Sequence, residues 1–329
     1  MTDLRAAIHR TDIRGKHLTH EQRVLVCKAF VAMRLVDQQW LQEMVCSSRR
    51  DLHTSLLKDL LSTSMFLFSL AYLNFSSVEL FEEVGLWLDG HGRLAANFGW
   101  SGEVLNILWA CVMQGVVPYK ALAQLQKCEP PVIGEMEHEV VVKLNDLSVL
   151  LQRQHGMNIL PPETHSALLR WISLHNQQVL PHDVCACVDD IGRLFPLGHA
   201  RANVMTAGGV RIDCAVLKNR DGTSVEWPNS VGQELSAAEV EQLQKGGYQP
   251  LAIQALGSAW FDLSQNLLGP AVMKCNVLKA CGWDVFIIST SEYGQSADKQ
   301  SFLRAELECE SEDGFAVRIP SVGVKTTQQ

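Results

Sequence analysis

The stretch Leu251-Ala-Ile-Gln-Ala-Leu-Gly257, followed by Gly269-Pro270 and by Lys274-Cys-Asn-Val-Leu-Lys-Ala-Cys-Gly-Trp-Asp-Val-Phe-Ile-Ile288, decides the fold class of this chain. The short apolar run 250–255 ends at a glycine, which predicts a buried strand and a tight turn. Gly269-Pro270 predicts a helix start, because proline is tolerated where its missing N–H would be unpaired anyway. The helix 271–281 stops at Gly282, and the aromatic and β-branched run 283–290 predicts a second strand.

Further elements extend this unit in both directions. The run 210–217 follows the flexible pair Gly208-Gly209 and predicts an earlier strand, and 299–309 predicts a closing helix. The segment 218–247 is an insertion, in which Asp221-Gly222 predicts a turn. Residues 201–329 are therefore expected to form a small α/β domain.

The first 200 residues predict helix after helix. Apolar residues recur at helical spacing in 20–36, 54–73, 77–88, 103–115, 118–126, 138–153, 163–174 and 182–195. Thr19 with Gln22, Ser76 with Glu79, and Ser101 before Val104 are credible N-caps. Prolines separate most of the remaining segments.

Three joints between these helices are spaced by about 40 residues. Val36, Phe75 and Val116 would be equivalent, at separations of 39 and 41. A period near 40 predicts stacked helical hairpins, as in an α-solenoid, and the alternative is an irregular helical bundle. The predicted fold class is thus α + α/β, with a helical-repeat domain at 1–200 and an α/β domain at 201–329.

The order of elements in the C-terminal part resembles the RAP domain, an α/β module of organellar RNA-binding proteins such as the FAST-kinase-like and octotricopeptide-repeat proteins. The resemblance covers residues 208–310, with its specific motifs in 250–304. The strand with Asp213 resembles the family's first strand, 251–261 its glycine-turn strand, 268–282 its helix, and 282–289 its closing strand. Tyr293 and 299–303 are similar to the terminal helix. Helical repeats also precede the RAP domain in these families.

The resemblance extends to a nuclease-like fold, in which carboxylates hold a divalent metal and a lysine stabilises charge on phosphate. Family members commonly carry Glu and Asp before the glycine turn, where Gln254 and Leu256 stand here. Glutamine offers only a neutral carbonyl and leucine no ligand, and Asp213 alone builds no phosphodiesterase site. We therefore expect degenerate nuclease-like positions, no catalytic residue, no metal and no cofactor. No glycine-rich phosphate loop or Gly-x-Ser-x-Gly motif suggests other chemistry.

The charge distribution limits where RNA would bind. A net charge of −8 argues against binding over the whole surface, because affinity for phosphate comes mainly from Lys and Arg. Residues 1–58 alone have a positive balance, with ten basic residues against six acidic ones. RNA contacts are expected there and on isolated cations of the α/β domain: Arg10, Arg14, Arg49, Arg50, Lys274, Lys279 and Arg304. The alternative for these cations is an ordinary solvated helical face.

Composition bounds the class of protein. With 47% hydrophobic and 19% charged residues the chain is globular, and no apolar run reaches the roughly 18 residues of a spanning helix. Ten cysteines without regular spacing predict reduced, mostly buried thiols. His182, Cys185 and Cys187 lie close together, but no second ligand pair follows to complete a zinc site. Residues 1–24 carry arginines and also acids, which leaves a mitochondrial import signal open.

These observations predict a non-catalytic RNA-binding protein of mitochondria, or alternatively of a plastid-type organelle. The favoured role is a subunit of the mitochondrial ribosome or of another ribonucleoprotein that binds rRNA beside neighbouring proteins, without a membrane span. The first alternative is a protein-only structural subunit of a mitochondrial complex. The second, disfavoured, is an RNA-processing nuclease.

Overall fold

The computed structural model describes residues 18–49, 59–90, 97–175, 181–206, 208–228, 231–232 and 234–308. Within these ranges the chain forms thirteen α-helices and one six-stranded mixed sheet. The predicted α + α/β composition is therefore confirmed. Every helix in these ranges is too short or too polar to cross a membrane, and the nine cysteines they contain are all free.

Eight helices are described before residue 180, and they form four consecutive pairs. Their bounds are α1 His20–Met33, α2 Gln38–Arg49, α3 Leu60–Tyr72, α4 Val78–Gly90, α5 Gly102–Met113, α6 Tyr119–Leu125, α7 His138–His155 and α8 Pro162–His175. The predicted capping box of Thr19 and Gln22 begins α1, and Ser101 caps α5. Helix α2 was predicted only as the second helix that follows the first joint, because its apolar residues are few.

The two helices of each pair are joined in the same way. The first helix is followed by a residue with a left-handed backbone: Arg34, Asn74, Gly115 and Gly156, with φ of 51°, 52°, 79° and 65°. The next residue donates its N–H to a carbonyl in the last turn of that helix: Leu35 to Phe30, Phe75 to Leu70, Val116 to Cys111, and Met157 to Leu151. Such bonds satisfy carbonyls that a helix end leaves unpaired. The left-handed residues are 40, 41 and 41 positions apart.

One detail of the sequence-based alignment changes. The backbone equivalent of Phe75 and Val116 at the first joint is Leu35, not Val36, since Leu35 makes the corresponding bond. Leu35 and Phe75 are 4% and 2% exposed, whereas Val36 and Val116 are half-buried. A one-residue difference in loop length between copies is invisible to a comparison of apolar patterns.

The first helices of the pairs pack side by side. Helix α1 lies on α3, α3 on α5, and α5 on α7, with α4 and α6 packed together behind them. Their apolar faces form one continuous core that includes Phe30, Phe66, Trp109 and Leu147. A helix buries such a face only against a neighbour, so each pair depends on the next for stability.

The remaining elements surround the sheet. Their bounds are α9 His182–Leu194, β1 Ala200–Thr206, β2 Arg211–Lys218, β3 Ser224–Val225, β4 Glu234–Leu235, α10 Ala237–Lys245, β5 Gln249–Leu256, α11 Gly269–Ala280, β6 Asp284–Ser289, α12 Thr290–Gln295 and α13 Lys299–Glu308. The predicted β2, β5, α11, β6 and α13 are present within two residues. Sequence reasoning missed β1 and the short elements of the insertion, whose apolar patterns are weak.

The sheet order is β4-β1-β2-β5-β6, with β3 beside β2. Strands β1, β2 and β5 are antiparallel neighbours, while β5 and β6 are parallel. Helix α11 makes the crossover between the parallel strands, as their direction requires. The turn predicted at Asp221-Gly222 is present, with φ of 83° at Gly222.

The two faces of the sheet are covered by different layers. Helices α9 and α13 pack on the face that carries Cys214, Val216 and Ile253. Ala215 and Ala252 face the other way, into the core shared with α11 and the helix pairs. Helix α9 precedes residue 200 and still packs on the sheet. The boundary at residue 200 between a helical-repeat domain and an α/β domain remains a prediction.

Close backbone contacts join the helix pairs to the sheet. Helix α7 packs on α11, and the Leu263 N–H donates to the carbonyl of Arg34 over 3.1 Å. A Cβ atom at Gly269 would lie 2.0 Å from the carbonyl oxygen of Ala71, at the end of α3. Only glycine fits at this contact, which positions α11 against the helix pairs.

Candidate functional site

A cavity of about 490 Å³ lies where the helix pairs meet the carboxyl end of β5. Helices α7, α8, α9 and α11 and the start of β2 form its walls. Its polar lining consists of Asn145, Asp146, Asp183, Arg211, Asp213 and Lys274, and Trp260 lies among the apolar residues. Cavities of this size that combine apolar walls with a few polar groups are the usual form of binding sites.

Asp213 is buried in the sheet, 4% exposed. Its Oδ2 accepts the backbone N–H of Ala255 at 3.0 Å, and its Oδ1 lies 3.9 Å from Nε of Arg211. One of its two oxygens is therefore bonded to the neighbouring strand.

Gln254 occupies the position beside Asp213 on β5 and is fully buried. Its Nε2 donates to the carbonyl of Arg211 at 3.1 Å, and its Oε1 accepts from Nζ of Lys274 at 2.5 Å. The amide thus uses its donor on one strand and its acceptor on α11. A carboxylate there would have no donor for the Arg211 carbonyl.

Lys274 projects from α11 towards these strands. Burial lowers the pKa of its ammonium group, and the nearby Asp213 carboxylate opposes that shift. Leu256, two residues after Gln254, is 3% exposed and adds an apolar wall. Of the predicted degenerate positions, Asp213 and Leu256 therefore line the cavity with Lys274, while the fully buried Gln254 is not part of the lining and bonds Lys274.

Asp146 enters the cavity from α7. Its Oδ2 accepts the indole N–H of Trp109 at 3.3 Å. Burial raises the pKa of the Asp146 carboxyl to about 7, although the Trp109 hydrogen bond and the two lysines Lys274 and Lys143 favour the charged form. Nζ of Lys143 bonds Asn106 at 2.7 Å and lies 3.8 Å from the centre of the Phe68 ring.

Asp183 closes the cavity from the first turn of α9. Its Oδ2 accepts the hydroxyl of Thr290 at 2.8 Å, which ties α9 to the end of β6. The cavity therefore holds three carboxylates and two cations. Among the residues that the structure describes, no group of three His, Cys, Asp or Glu side chains is arranged to hold a metal ion.

The cations predicted to bind RNA do not form one surface. Arg49 pairs with Glu83 and, at 2.7 Å, with Glu79. Lys274 lies in the cavity, whereas Lys279 and Arg304 are exposed on α11 and α13, which cover opposite faces of the sheet. Arg10, Arg14 and Arg50 lie outside the described residues.

Sequence reasoning missed Asp146, Asp183 and Arg211 as members of the cavity. Asp146 and Asp183 are single acids in amphipathic helices, a setting that predicts a solvated surface. Only the packing of α7 and α9 on the sheet brings them to Asp213. A signal was available for Arg211 alone, which is two residues before Asp213 and therefore shares its side of β2.

Comparison with known proteins adds no identification. No protein-family model matches the sequence, and no curated protein is significantly similar to it.

Proposed function

We propose that this chain is a non-catalytic RNA-binding protein of the RAP type. In this proposal it is a subunit of the mitochondrial ribosome, or of another organellar ribonucleoprotein, and contacts rRNA beside neighbouring proteins. The resemblance of residues 208–310 to the RAP domain suggests the RNA. The geometry of the cavity supports the absence of hydrolysis.

The observation that carries the proposal is the bonding of Gln254. Metal-dependent phosphodiester cleavage needs carboxylates that converge on a cation and a lysine that is free to meet phosphate. Here the amide of Gln254 spans the distance between β2 and α11 and accepts from Lys274. The lysine is held by a neutral group, and Leu256 offers no ligand.

The joints of the helix pairs support the solenoid part of the proposal. Four left-handed residues at intervals of 40, 41 and 41 positions, each followed by a similar backbone bond, are what a repeated two-helix unit of that length would give. Stacked units of this kind offer an extended surface for a long ligand such as RNA.

The alternative, a protein-only structural subunit, is favoured by one observation. Two of the cations expected to bind RNA are already engaged, Arg49 by Glu79 and Glu83 and Lys274 by Gln254. Among the predicted RNA-binding cations that the structure describes, Lys279 and Arg304 are exposed and are left to bind phosphate. The nuclease is the least favoured reading.

Crosslinking of RNA in the native complex tests the proposal. Ultraviolet irradiation of the assembled particle, followed by purification of this chain under denaturing conditions, should recover covalently attached RNA. A variant with Lys279→Gln and Arg304→Gln should recover less, and Lys245→Gln with Arg193→Gln is a matched control that also removes two exposed cations. Absence of RNA on the wild-type chain would favour the protein-only role.

A further inference from the structure

An exposed apolar and aromatic patch with an acidic rim lies where the start of α7 meets the end of α8. Val132 and Leu174 are 62% and 70% exposed, and the short helical turn 133–135 that follows Val132 packs on α8. Most large apolar side chains of the helix pairs are buried. We define this patch by Val132, His138, Trp171, Leu174 and His175.

Ring contacts hold the centre of the patch in place. The rings of Trp171 and His175 are stacked, with centroids 3.8 Å apart and planes 15° from parallel. The His138 ring lies 5.2 Å from Trp171, and Nδ1 of His175 donates to the Trp171 carbonyl over 2.8 Å. Because three rings on two packed helices are already ordered, a partner would lose little side-chain entropy here.

Four glutamates in the segment that leads into α7 are exposed, and the last two flank His138: Glu129, Glu135, Glu137 and Glu139. None of them forms an ion pair within the described part of the chain. Over residues 127–143 and 162–175, five glutamates stand against three cations, Lys127, Lys143 and Arg170, and Lys143 interacts electrostatically with Glu137 and Glu139. This balance repels phosphate and attracts cations, so RNA is the wrong ligand for this surface.

We propose that the patch docks a basic segment of a neighbouring protein that combines arginine with aliphatic side chains. Guanidinium groups would pair with the glutamates and stack on the aromatic rings, which Arg does better than Lys because its charge is planar and weakly hydrated. Aliphatic side chains of the same segment would cover Val132 and Leu174. The inference does not depend on RNA binding and goes beyond it by assigning a protein partner to a defined surface.

Site-specific photocrosslinking in the native complex identifies what covers the patch. A benzoylphenylalanine at position 174 should attach a protein segment rich in Arg, mapped by mass spectrometry. The control position is Leu86 on α4, which is 74% exposed against 70% for Leu174. Crosslinks from 174 to RNA, or to a segment without excess positive charge, would overturn the proposal.

Binding of a synthetic peptide to the full purified chain measures the charge requirement. The probe is a labelled peptide of four Arg-Leu repeats, followed by fluorescence anisotropy at low salt. Neutralising Glu129, Glu135 and Glu137 together to Gln should weaken binding about tenfold, since rim charges of an interface each contribute modestly. Glu137 precedes α7 without a side-chain cap bond, so the helix start is not lost.

A matched variant separates the patch from the general negative charge of the chain. Glu82→Gln, Asp189→Asn and Glu226→Gln also remove three exposed negative charges, at other places. This control should bind the peptide within about twofold of wild type, and melting curves should show that both variants fold. Equal loss in the two variants, or no peptide binding by the wild-type chain, would contradict a specific basic docking site.

Discussion

At the scale of single residues, the chemistry of the cavity depends on whether position 254 carries an amide or a carboxylate. Gln254 bonds the Arg211 carbonyl and Lys274 at once, which only a group with both a donor and an acceptor can do. The same side chain links β2 to α11 and stands where a carboxylate could have bound a metal ion. Because of these local hydrogen bonds, we expect no metal-dependent hydrolysis at this cavity.

We predict that the purified chain cleaves neither RNA nor single-stranded DNA in the presence of Mg²⁺ or Mn²⁺. The measurement is incubation of end-labelled substrates followed by electrophoresis. If cleavage is seen, an Asp213→Asn variant decides its origin, because asparagine can still accept the Ala255 N–H and preserve the strand contact. Cleavage that disappears in that variant would refute the non-catalytic assignment, and cleavage that persists would refute it as well unless a mock purification without this chain cleaves equally.

Asp146 should make stability depend on pH. Its pKa rises from 3.8 to about 7 on folding, so the folded chain holds a proton that the unfolded chain releases between these values. Stability contributed by this group is present at pH 4 and lost as the pH rises to about 7. Asp146→Asn keeps an acceptor for Trp109 and should remove this loss, on the order of 1–2 kcal/mol after allowing for partial exposure.

The measurement is the free energy of unfolding of wild type and Asp146→Asn in urea at pH 5 and pH 8. The difference between the two pH values should be smaller in the variant, since Lys274 and all other groups titrate in both proteins. Asp189→Asn, at an exposed position, should behave as wild type. Parallel pH dependence in all three would show that Asp146 ionises normally.

Gly269 allows α11 to approach the end of α3. Gly269→Ala would place a Cβ atom 2.0 Å from the carbonyl oxygen of Ala71, a backbone atom that cannot rotate away. We expect the free energy of unfolding to fall by at least about 3 kcal/mol, which is in the upper range for single substitutions, or α11 to separate from the helix pairs. Gly192→Ala, in α9 with open space at the Cβ position, should instead stabilise by about 0.5–1 kcal/mol. Thermal melts of both variants check this contrast.

At the scale of elements, the joint between paired helices is the recurring feature. A left-handed residue followed by a buried or half-buried apolar one turns the chain and covers the end of the first helix. Asparagine or glycine, which adopt the left-handed backbone at low steric cost, occupy three of the joints. Arg34 adopts the same backbone at a higher steric cost, and its guanidinium donates to the Ser258 carbonyl. Tertiary contact therefore supports the weakest of the four joints.

Phe75 gives the element-scale prediction. It is 2% exposed and follows the left-handed residue of the second joint, so Phe75→Ala should cost about 3–5 kcal/mol. Phe98→Ala removes the same ring at a position that is 50% exposed and should cost under about 1 kcal/mol. Urea denaturation distinguishes the two. Similar losses would show that the second joint is not a packing centre.

At the scale of the whole molecule, the distribution of charge separates two kinds of partner. The positive balance of residues 1–58 is suited to RNA, and the acidic rim around Trp171 is suited to a basic protein segment. An acidic chain inside a ribonucleoprotein would be held largely by such protein contacts. RNA affinity of the isolated chain should accordingly be weak and salt-sensitive.

Replacing Arg10, Arg14, Arg49 and Arg50 together by Gln tests the RNA half of this arrangement. RNA crosslinking in the native complex should fall several-fold, because phosphate contacts depend on cations. Circular dichroism controls for folding, since Arg49 also pairs with Glu79 and Glu83. Unchanged crosslinking in this variant and in the Lys279 and Arg304 double variant would favour the protein-only role.

Local patterns in the sequence predict the described helices of the first half, joints about 40 residues apart, and the order of β2, β5, α11 and β6. These features follow from apolar periodicity, caps, glycines and prolines, which act between residues no more than a few positions apart. The resemblance to the RAP domain, rather than local pattern, singled out Asp213, Gln254 and Leu256. Organellar RNA binding remains a prediction from resemblance.

The packing of helices on the sheet brings side chains that are distant in sequence together at the cavity. Asp146, Asp183 and Lys274 belong to three helices, and each looks like a surface charge in its own segment. Whether such a charge faces water or a cavity depends on how its helix packs, and that packing is set by contacts between residues far apart in sequence, such as Gly269 with Ala71. Local pattern fixes the elements, and close packing between them fixes the site.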